Sequence, residues 1–199
     1  MNNTFVVTAP RGCTDLLIKE LRKIGVQDIR QRWGGAQFIG SVALAYKVCL
    51  WSRIANRVLM PLIEFEIGST EDVYTGAKQI DWMNHLKVDG KLAVDCQIFR
   101  SPVISHSHYA ALKVKDAVVD QFRDKKGARP SVDVKNPDIR IHVRINEKLA
   151  NICIDLSGES LHRRAYRKNG NLAPLKENIA AAILYRSGWP EVAASQGQL

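Results

Sequence analysis

Between Lys91 and Phe122, KLAVDCQIFRSPVISHSHYAALKVKDAVVDQF, the apolar residues change from a period of two to the period of a helix. Leu92, Val94, Cys96 and Ile98 alternate with Lys91, Asp95 and Gln97, which predicts a half-buried strand. Ser101, Pro102, Ser105 and Ser107 then break the alternation and form a polar loop. From about Ser107, Ala111, Val114, Val118 and Phe122 recur on one helical face, while Lys113, Asp116 and Asp120 fall elsewhere. Strand, loop and amphipathic helix in this order belong to a layered sheet-and-helix domain. With Lys113 and Lys115 on the helix, the unit also offers a place for a phosphate backbone to dock. An ordinary strand-loop-helix with solvated lysines has the same pattern, so the wider distribution of charge must decide.

That distribution favours a polyanionic partner. The chain of 199 residues has a net charge of +9 at pH 7. Between Arg100 and Lys168 there are 15 Lys and Arg against 8 Asp and Glu, so most of the excess lies in the second half. No apolar run approaches the roughly 18 residues of a transmembrane helix, and MNNTFVVTAPRG has neither the basic nor the apolar region of a signal peptide. Cys13, Cys49, Cys96 and Cys153 are scattered without paired spacing inside apolar patterns. They are expected to be buried free thiols in a reducing cytoplasm.

Before the central stretch, the order is strand, helix, strand, strand, helix, strand. Asn3 to Ala9 reads as a strand, and Thr14 can cap a helix to about Ile24 that buries Leu17, Leu21 and Ile24 and stops at Gly25. Val26 to Trp33 and Ala36 to Ile39 form a hairpin through Gly34-Gly35. Ser41 caps a second helix whose buried stripe is Leu44, Val48 and Trp51 or Leu50. Arg57 to Ile67 then alternates, and Pro61 within it suggests an edge or a bulge. This is the split βαβ, or ferredoxin-like, plan, ending near Gly68.

A second unit opens with a helix capped by Ser69 or Thr70 and running to about Ile80, with Trp82 and Leu86 packed beneath the connection to Lys91. After the central helix, Asp124 to Pro130 reads as a turn-rich loop with Lys125, Lys126 and Arg129. Ile139, Ile141, Val143 and Ile145 face inwards opposite a basic outer stripe of Arg140, His142 and Arg144. Asn146-Glu147 turns the chain into Lys148 to Leu156, with Ala150, Ile152, Ile154 and Leu156 inside. Beyond Ser157 comes a basic cluster, Arg163, Arg164, Arg167 and Lys168, and a turn at Asn169-Gly170-Asn171. Pro174 fits the first turn of a last helix, burying Leu175, Ile179 and Ile183 and closing at Gly188; Pro190 to Leu199 shows no element.

The sequence holds no GxGxxG after a strand, no P-loop, no GxSxG and no HExxH. His106 and His108 lack further ligands at metal spacing, so a hydrolase built on them ranks last. Asp116 and Asp120 read as a solvated face shared with Lys113. Trp33, Trp51, Trp82 and Trp189 can stack on bases, but each sits in or beside an apolar pattern and core packing is preferred. The remaining chemistry is phosphate binding. The candidate RNA contacts are Arg100, Lys113, Lys115, Lys125, Lys126, Arg129, Arg140, Arg144, Arg163, Arg164 and Arg167, with Ser105, His106 and Ser107 (and Ser101) as loop donors to phosphate or 2′-OH groups.

Several segments together resemble one family. TAPRGCTDLLIKEL, GGAQFIG, LWSRIANRVLMPL, SHYAALKVKDAVVDQF, PDIRIHVRI and IDLSGESLHRRAYRKNGNLAPLKENIAAAILYRSGW occur in the order found in the amino-terminal region of the bacterial 23S rRNA guanine-N2 methyltransferase L family. The resemblance implies an α+β chain: a ferredoxin-like unit over 1–68, a THUMP RNA-binding domain over 69–156 (a profile boundary could fall nearer 43), and a basic linker with a first helix over 157–199. Lys91 to Leu156 would lie in the THUMP part. The family's glycine-rich methyl-donor turn and Asn-Pro-Pro-type catalytic motif follow the SGW segment. This chain is therefore expected to be inert by itself and to hold no cofactor, with S-adenosylmethionine implied for the parent enzyme. Leu161 to Lys176 would be the hinge or brace to the missing methyltransferase domain in cis. One departure is Ala165, where the family has glycine before Tyr-Arg.

The resulting expectation is a cytoplasmic RNA-binding module, with no membrane association, that positions 23S rRNA for a methyltransferase domain. A module serving a tRNA-modifying enzyme and a non-enzymatic rRNA-binding assembly factor are the alternatives.

Overall fold

The computed structural model describes residues 2–164 and 174–196. They form two compact units, Met1–Leu59 together with the described residues of Leu156–Leu199, and Met60–Asp155.

In the first unit, β1 (Asn3–Thr8), α1 (Thr14–Ile24), β2 (Arg30–Arg32), β3 (Gly35–Gly40) and α2 (Val42–Trp51) lead into β4 (Arg57–Glu66), whose first three residues belong here. The antiparallel order β2-β3-β1-β4 is that of a ferredoxin-like sheet. Phe5 and Val7 of β1, Ala36 and Phe38 of β3, Leu17 and Leu21 of α1, and Ala45 and Val48 of α2 are buried together on its helical side. The Phe5 and Phe38 ring centroids are 5.2 Å apart.

The helix ends follow local chemistry, with some shifts from expectation. Gly25 stops α1 at φ 101°, a left-handed conformation that glycine adopts without steric cost. The N-cap of α1 is Cys13 rather than Thr14, with no side-chain cap. Ser41 does cap α2, its hydroxyl accepting from the Leu44 N–H at 3.2 Å. The hairpin turn is Trp33-Gly34, one residue earlier than expected, because Gly34 supplies the positive φ of 76° while Gly35 already pairs with Thr8. The stripe of α2 is Ala45 and Val48, and Leu50 and Trp51 are exposed.

The last described segment differs more. The helix α5 is Glu177–Arg186, and it buries Asn178 and Ala182 while Leu175 and Ile183 are exposed. The offset has a polar cause: the Asn178 amide donates to Asn56 Oδ1 at 2.6 Å and to the Ile54 carbonyl at 3.5 Å, so hydrogen bonds to the α2–β4 loop choose the buried face. A further helix, α6 (Trp189–Gln196), forms where no element was expected, with Pro190 tolerated in its first turn.

In the second unit, α3 (Thr70–Lys78) opens with a capping box between Ser69 and Asp72. After a short 3₁₀ turn, β5 (Lys91–Phe99), α4 (Ser107–Lys126), β6 (Ser131–Val132), β7 (Ile139–Asn146) and β8 (Leu149–Asp155) complete it. The strands lie in the order β8-β7-β5-β6, with β5 parallel to β6 and β7, and β7 antiparallel to β8. Ile139, Ile141, Val143 and Ile145 are buried as their alternation requires. The turn into β8 is Glu147-Lys148, and Glu147 takes the positive φ. Ala110, rather than Ala111, joins Val114, Val118 and Phe122 on the buried face of α4.

Trp82 is fully buried between the ends of α3 and α4. Its Nε1–H donates to the Ala77 carbonyl at 2.9 Å, and its backbone N–H donates to Oε1 of the buried Gln121 at 2.8 Å. Gln121 Nε2 donates in turn to the carbonyls of Ile80 and Lys78. One amide on α4 thus satisfies the exposed backbone of the α3 terminus.

Candidate nucleic-acid interface

The crossover β5–α4–β7 gives the second unit two poles. Because β5 and β7 are parallel, Phe99 and Asn146 end at the same edge, register partners in one ladder. The chain leaves Phe99, crosses seven loop residues and starts α4 there at Ser107. The helix then runs back for 20 residues, about 30 Å at the usual rise. Its far end leads directly to Ser131, which pairs with Lys91 at the start of β5.

The candidate residues divide between these poles. At the first lie Arg100, Ser105, His106, Ser107 and Arg144. Arg100 is exposed with φ 48°, and Ser105 to Tyr109 are all exposed. Arg144 lies over the Phe99 ring at 5.2 Å. Among the described residues no carboxylate pairs with Arg100 or Arg144. The first turn of α4 contains no acidic residue, so its free N–H groups keep their partial positive charge. Ser101 is committed locally, its hydroxyl accepting from the Val103 and Ile104 N–H groups.

At the second pole lie Lys125, Lys126, Arg129 and Arg140. Lys125 and Lys126 belong to the last helical turn rather than a loop, because α4 continues to the left-handed cap at Gly127. Lys125 is 3.4 Å from Asp81. The basic outer stripe expected on β7 does not exist as such. His142 is buried, and Arg140 is mostly enclosed, donating to Asp95 at 2.9 Å and to the Val134 carbonyl at 2.9 Å. Its Nε is buried without a partner.

The remaining lysines of α4 are paired. Lys113 bonds Glu71 of α3 and stacks near Tyr109, and the Glu71 carboxylate raises its pKa above the ordinary lysine value. Lys115 bonds Asp116, so the expected grouping of Asp116 and Asp120 with Lys113 is not formed. Asp120 instead accepts from the Tyr74 hydroxyl at 3.0 Å. The Lys113–Glu71 and Tyr74–Asp120 pairings join residues more than forty positions apart, which no local spacing reveals.

The first unit holds the other candidates. Arg163 is exposed near Glu159, at 3.7 Å. Arg164 closes the end of α2, donating to the carbonyls of Cys49 and Ser52 at 2.8 Å each and of Leu50 at 3.3 Å. A guanidinium used as a helix C-cap is engaged in the fold. Arg167, Lys168, the Asn169-Gly170-Asn171 turn and Ala165 lie outside the described residues.

Three of the four tryptophans are not core residues. Trp82 alone of the four is buried, while Trp33 is 88% exposed, Trp51 61% and Trp189 42%. Trp189 lines a shallow cavity with Arg53, Leu184 and Tyr185. The four cysteines form no disulfide among the described residues; Cys13 and Cys153 are buried, whereas Cys49 and Cys96 are half-buried. Burial pushes the Cys96 and Cys153 thiols up to about 12. No group of three or more metal-ligating side chains exists among the described residues, and no helix among them is long and apolar enough to cross a membrane.

Comparison with known proteins agrees with this architecture. The RlmL ferredoxin-like domain matches residues 4–59, and the THUMP domain matches residues 68–155. The chain is 51% identical over 195 residues to ribosomal RNA large subunit methyltransferase K/L of Syntrophotalea carbinolica, covering 98% of this chain and 27% of that protein. It is 48% identical over 199 residues to the protein of the same name from Methylococcus capsulatus, again covering 27% of it. The chain thus spans about a quarter of the length of these curated relatives. Among solved structures, SMU.472, described as a methyltransferase candidate and complexed with SAH, aligns at TM-score 0.82 and 28% identity, over 94% of this chain and 49% of its own. A protein from Listeria monocytogenes, named by prediction an N6-adenine-specific DNA methylase, aligns at TM-score 0.80 and 25% identity, over 93% of this chain and 48% of its own.

Proposed function

We propose that this chain, which belongs to the K/L family of large-subunit ribosomal RNA methyltransferases through its RlmL ferredoxin-like and THUMP domains, is the part that holds 23S rRNA while a methyltransferase domain acts on a guanine. The observation that carries this reading is the pole at the start of α4. Among the described residues Arg100 and Arg144 have no carboxylate partners, and they lie at the edge where β5 and β7 end, from which the exposed Ser105, His106 and Ser107 lead into a 20-residue helix. Such a group binds phosphate oxygens and releases counterions, giving affinity with little sequence information.

The physical role is positioning. Removing a guanine from its stack costs a few kcal/mol. Backbone contacts made at a distance hold the surrounding RNA in place while that cost is met at the reacting centre. The parent reaction would draw on S-adenosylmethionine, a reading supported by the SAH held by SMU.472. Among the described residues, the loop after β5, RSPVISH, lacks the glycines that let a backbone close around a cofactor.

The test is competition for the chain between a 23S rRNA fragment and tRNA at fixed salt. The rRNA fragment is expected to displace tRNA at least tenfold more effectively. Equal or stronger binding of tRNA would favour a module serving a tRNA-modifying enzyme and would contradict this reading.

A further inference from the structure

The edge of the first unit carries a group of residues that neither its packing nor the pole on α4 explains. The strand β2 consists of Arg30, Gln31 and Arg32, all exposed, and among the described residues it pairs on one side with β3 and has no strand on the other. Period two puts Arg30 and Arg32 on one face, about 7 Å apart along the strand. Among the described residues neither guanidinium has a hydrogen-bond or ion-pair partner. Directly after Arg32, the turn residue Trp33 is 88% exposed, the most exposed large apolar side chain among the described residues. Gln37, half-buried, is the register partner of Arg30 on β3.

Charged residues on an edge strand have a general use, since they discourage pairing with another chain. That use accounts for Arg30 and Arg32 but not for Trp33. A tryptophan at the tip of a turn adds a large apolar surface at the place where edge protection would remove one. An indole and two free guanidiniums within four consecutive residues are the components that bind an unpaired nucleic-acid strand. The ring accepts a base on its face, and the cations take the phosphates on either side. A duplex fits less well, because its bases are stacked on one another and offer the indole no free face.

We infer that Arg30, Arg32 and Trp33 form a second RNA contact, on the ferredoxin-like unit, that takes a single-stranded segment by stacking one base on Trp33 and pairing adjacent phosphates with the two arginines. This rests on the proposal that the chain binds RNA and adds a site and a strand preference to it.

The experiment measures affinity of the whole chain for a fluorescein-labelled oligo(U) strand and for a blunt RNA duplex of equal length, across a salt series. Trp33→Ala is expected to weaken oligo(U) binding about tenfold while leaving the duplex unchanged, and Trp33→Phe to retain most of the affinity. Arg30→Ala with Arg32→Ala is expected to flatten the slope of log affinity against log salt by about 1.4, two single-strand phosphates. Photocrosslinking of the unaltered chain to 4-thiouridine-substituted strands should label the peptide containing residues 30–33, which keeps the test independent of any variant's folding. Unchanged oligo(U) affinity in these variants, with crosslinks mapping elsewhere, would overturn the inference. If the arginine variant instead self-associates at normal RNA affinity, the strand serves edge protection and the inference again fails. The RNA reading itself falls separately: it fails if Arg144→Ala and the unaltered chain bind every RNA alike and weakly.

Discussion

Replacing Glu20 with alanine is expected to lower the stability of the first unit by about 3–5 kcal/mol, the cost of leaving two or three donors without an acceptor. Glu20 lies on α1 and is 7% exposed, an unusual place for a carboxylate. It is held there by what it accepts. Its Oε2 takes the Ser52 hydroxyl at 2.5 Å and the Ile54 N–H at 3.2 Å, and its Oε1 takes the Arg53 N–H at 2.9 Å. Ser52 Oγ accepts from the Ala55 N–H at 3.0 Å, so the same group orders the whole turn between α2 and β4. Asn178 and Arg164 bond to that turn as well. Thermal unfolding followed by circular dichroism should show a fall in Tm on the order of 10 °C. Glu20→Gln, which keeps the shape but places an amide NH₂ against one of the donors, should lose part of that stability. A Glu20→Ala chain melting within about 2 °C of the original would show that the turn does not depend on this carboxylate.

Trp82→Ala is the corresponding test in the second unit, with an expected loss of about 3–5 kcal/mol. The side chain is fully buried and bonded to Ala77 of α3, and its backbone to Gln121 of α4, so truncation leaves a cavity beside both helices. Gln121→Leu leaves the Trp82 N–H and the Ile80 carbonyl unpaired and should cost about 2–4 kcal/mol by a different route. Since the two residues share one network, the double variant should lose less than the sum of the single losses. Urea unfolding read by circular dichroism measures all three. Additive losses would mean that the indole and the amide stabilise the unit independently.

The α+β plan was legible because most of the strands and helices of the two units carry their own periodic signal. The alternation of Ile139 to Ile145, the change of period between Ile98 and Ser107, and the caps at Gly25, Ser41 and Ser69 are local features, and the structure keeps them. Reading failed where a polar contact between distant segments decides the outcome. Glu20 looks like any solvated helix charge until Ser52 to Ile54 fold against it. Apolar spacing puts Leu175 and Ile183 inside, but the bonds of Asn178 turn that helix face outwards. Trp33 and Trp51 sit beside apolar runs in sequence and yet remain at the surface.

The candidate interface shows the same division. Its residue types were visible, because a basic excess and a serine-rich loop are matters of composition. Their grouping was not. Lys113 and Arg140 become partners of Glu71 and Asp95, and Arg164 becomes a helix cap, while Arg100 and Arg144, at the edge where β5 and β7 end, have no carboxylate partners among the described residues. Pairing across the fold separates cations that stabilise the protein from those left for RNA, and only the tertiary structure determines it.

The most direct test of this account is the salt dependence of binding to a 23S rRNA fragment, for the unaltered chain and two variants. Arg100→Ala with Arg144→Ala should flatten the slope of log affinity against log salt by about 1.8, two phosphate contacts of a duplex. Lys113→Ala with Lys125→Ala, at positions already paired with Glu71 and Asp81, should change it by less than about half that amount. An unchanged slope in the arginine variant, with the loss appearing in the lysine variant instead, would contradict the assignment of RNA binding to the amino-terminal pole of α4.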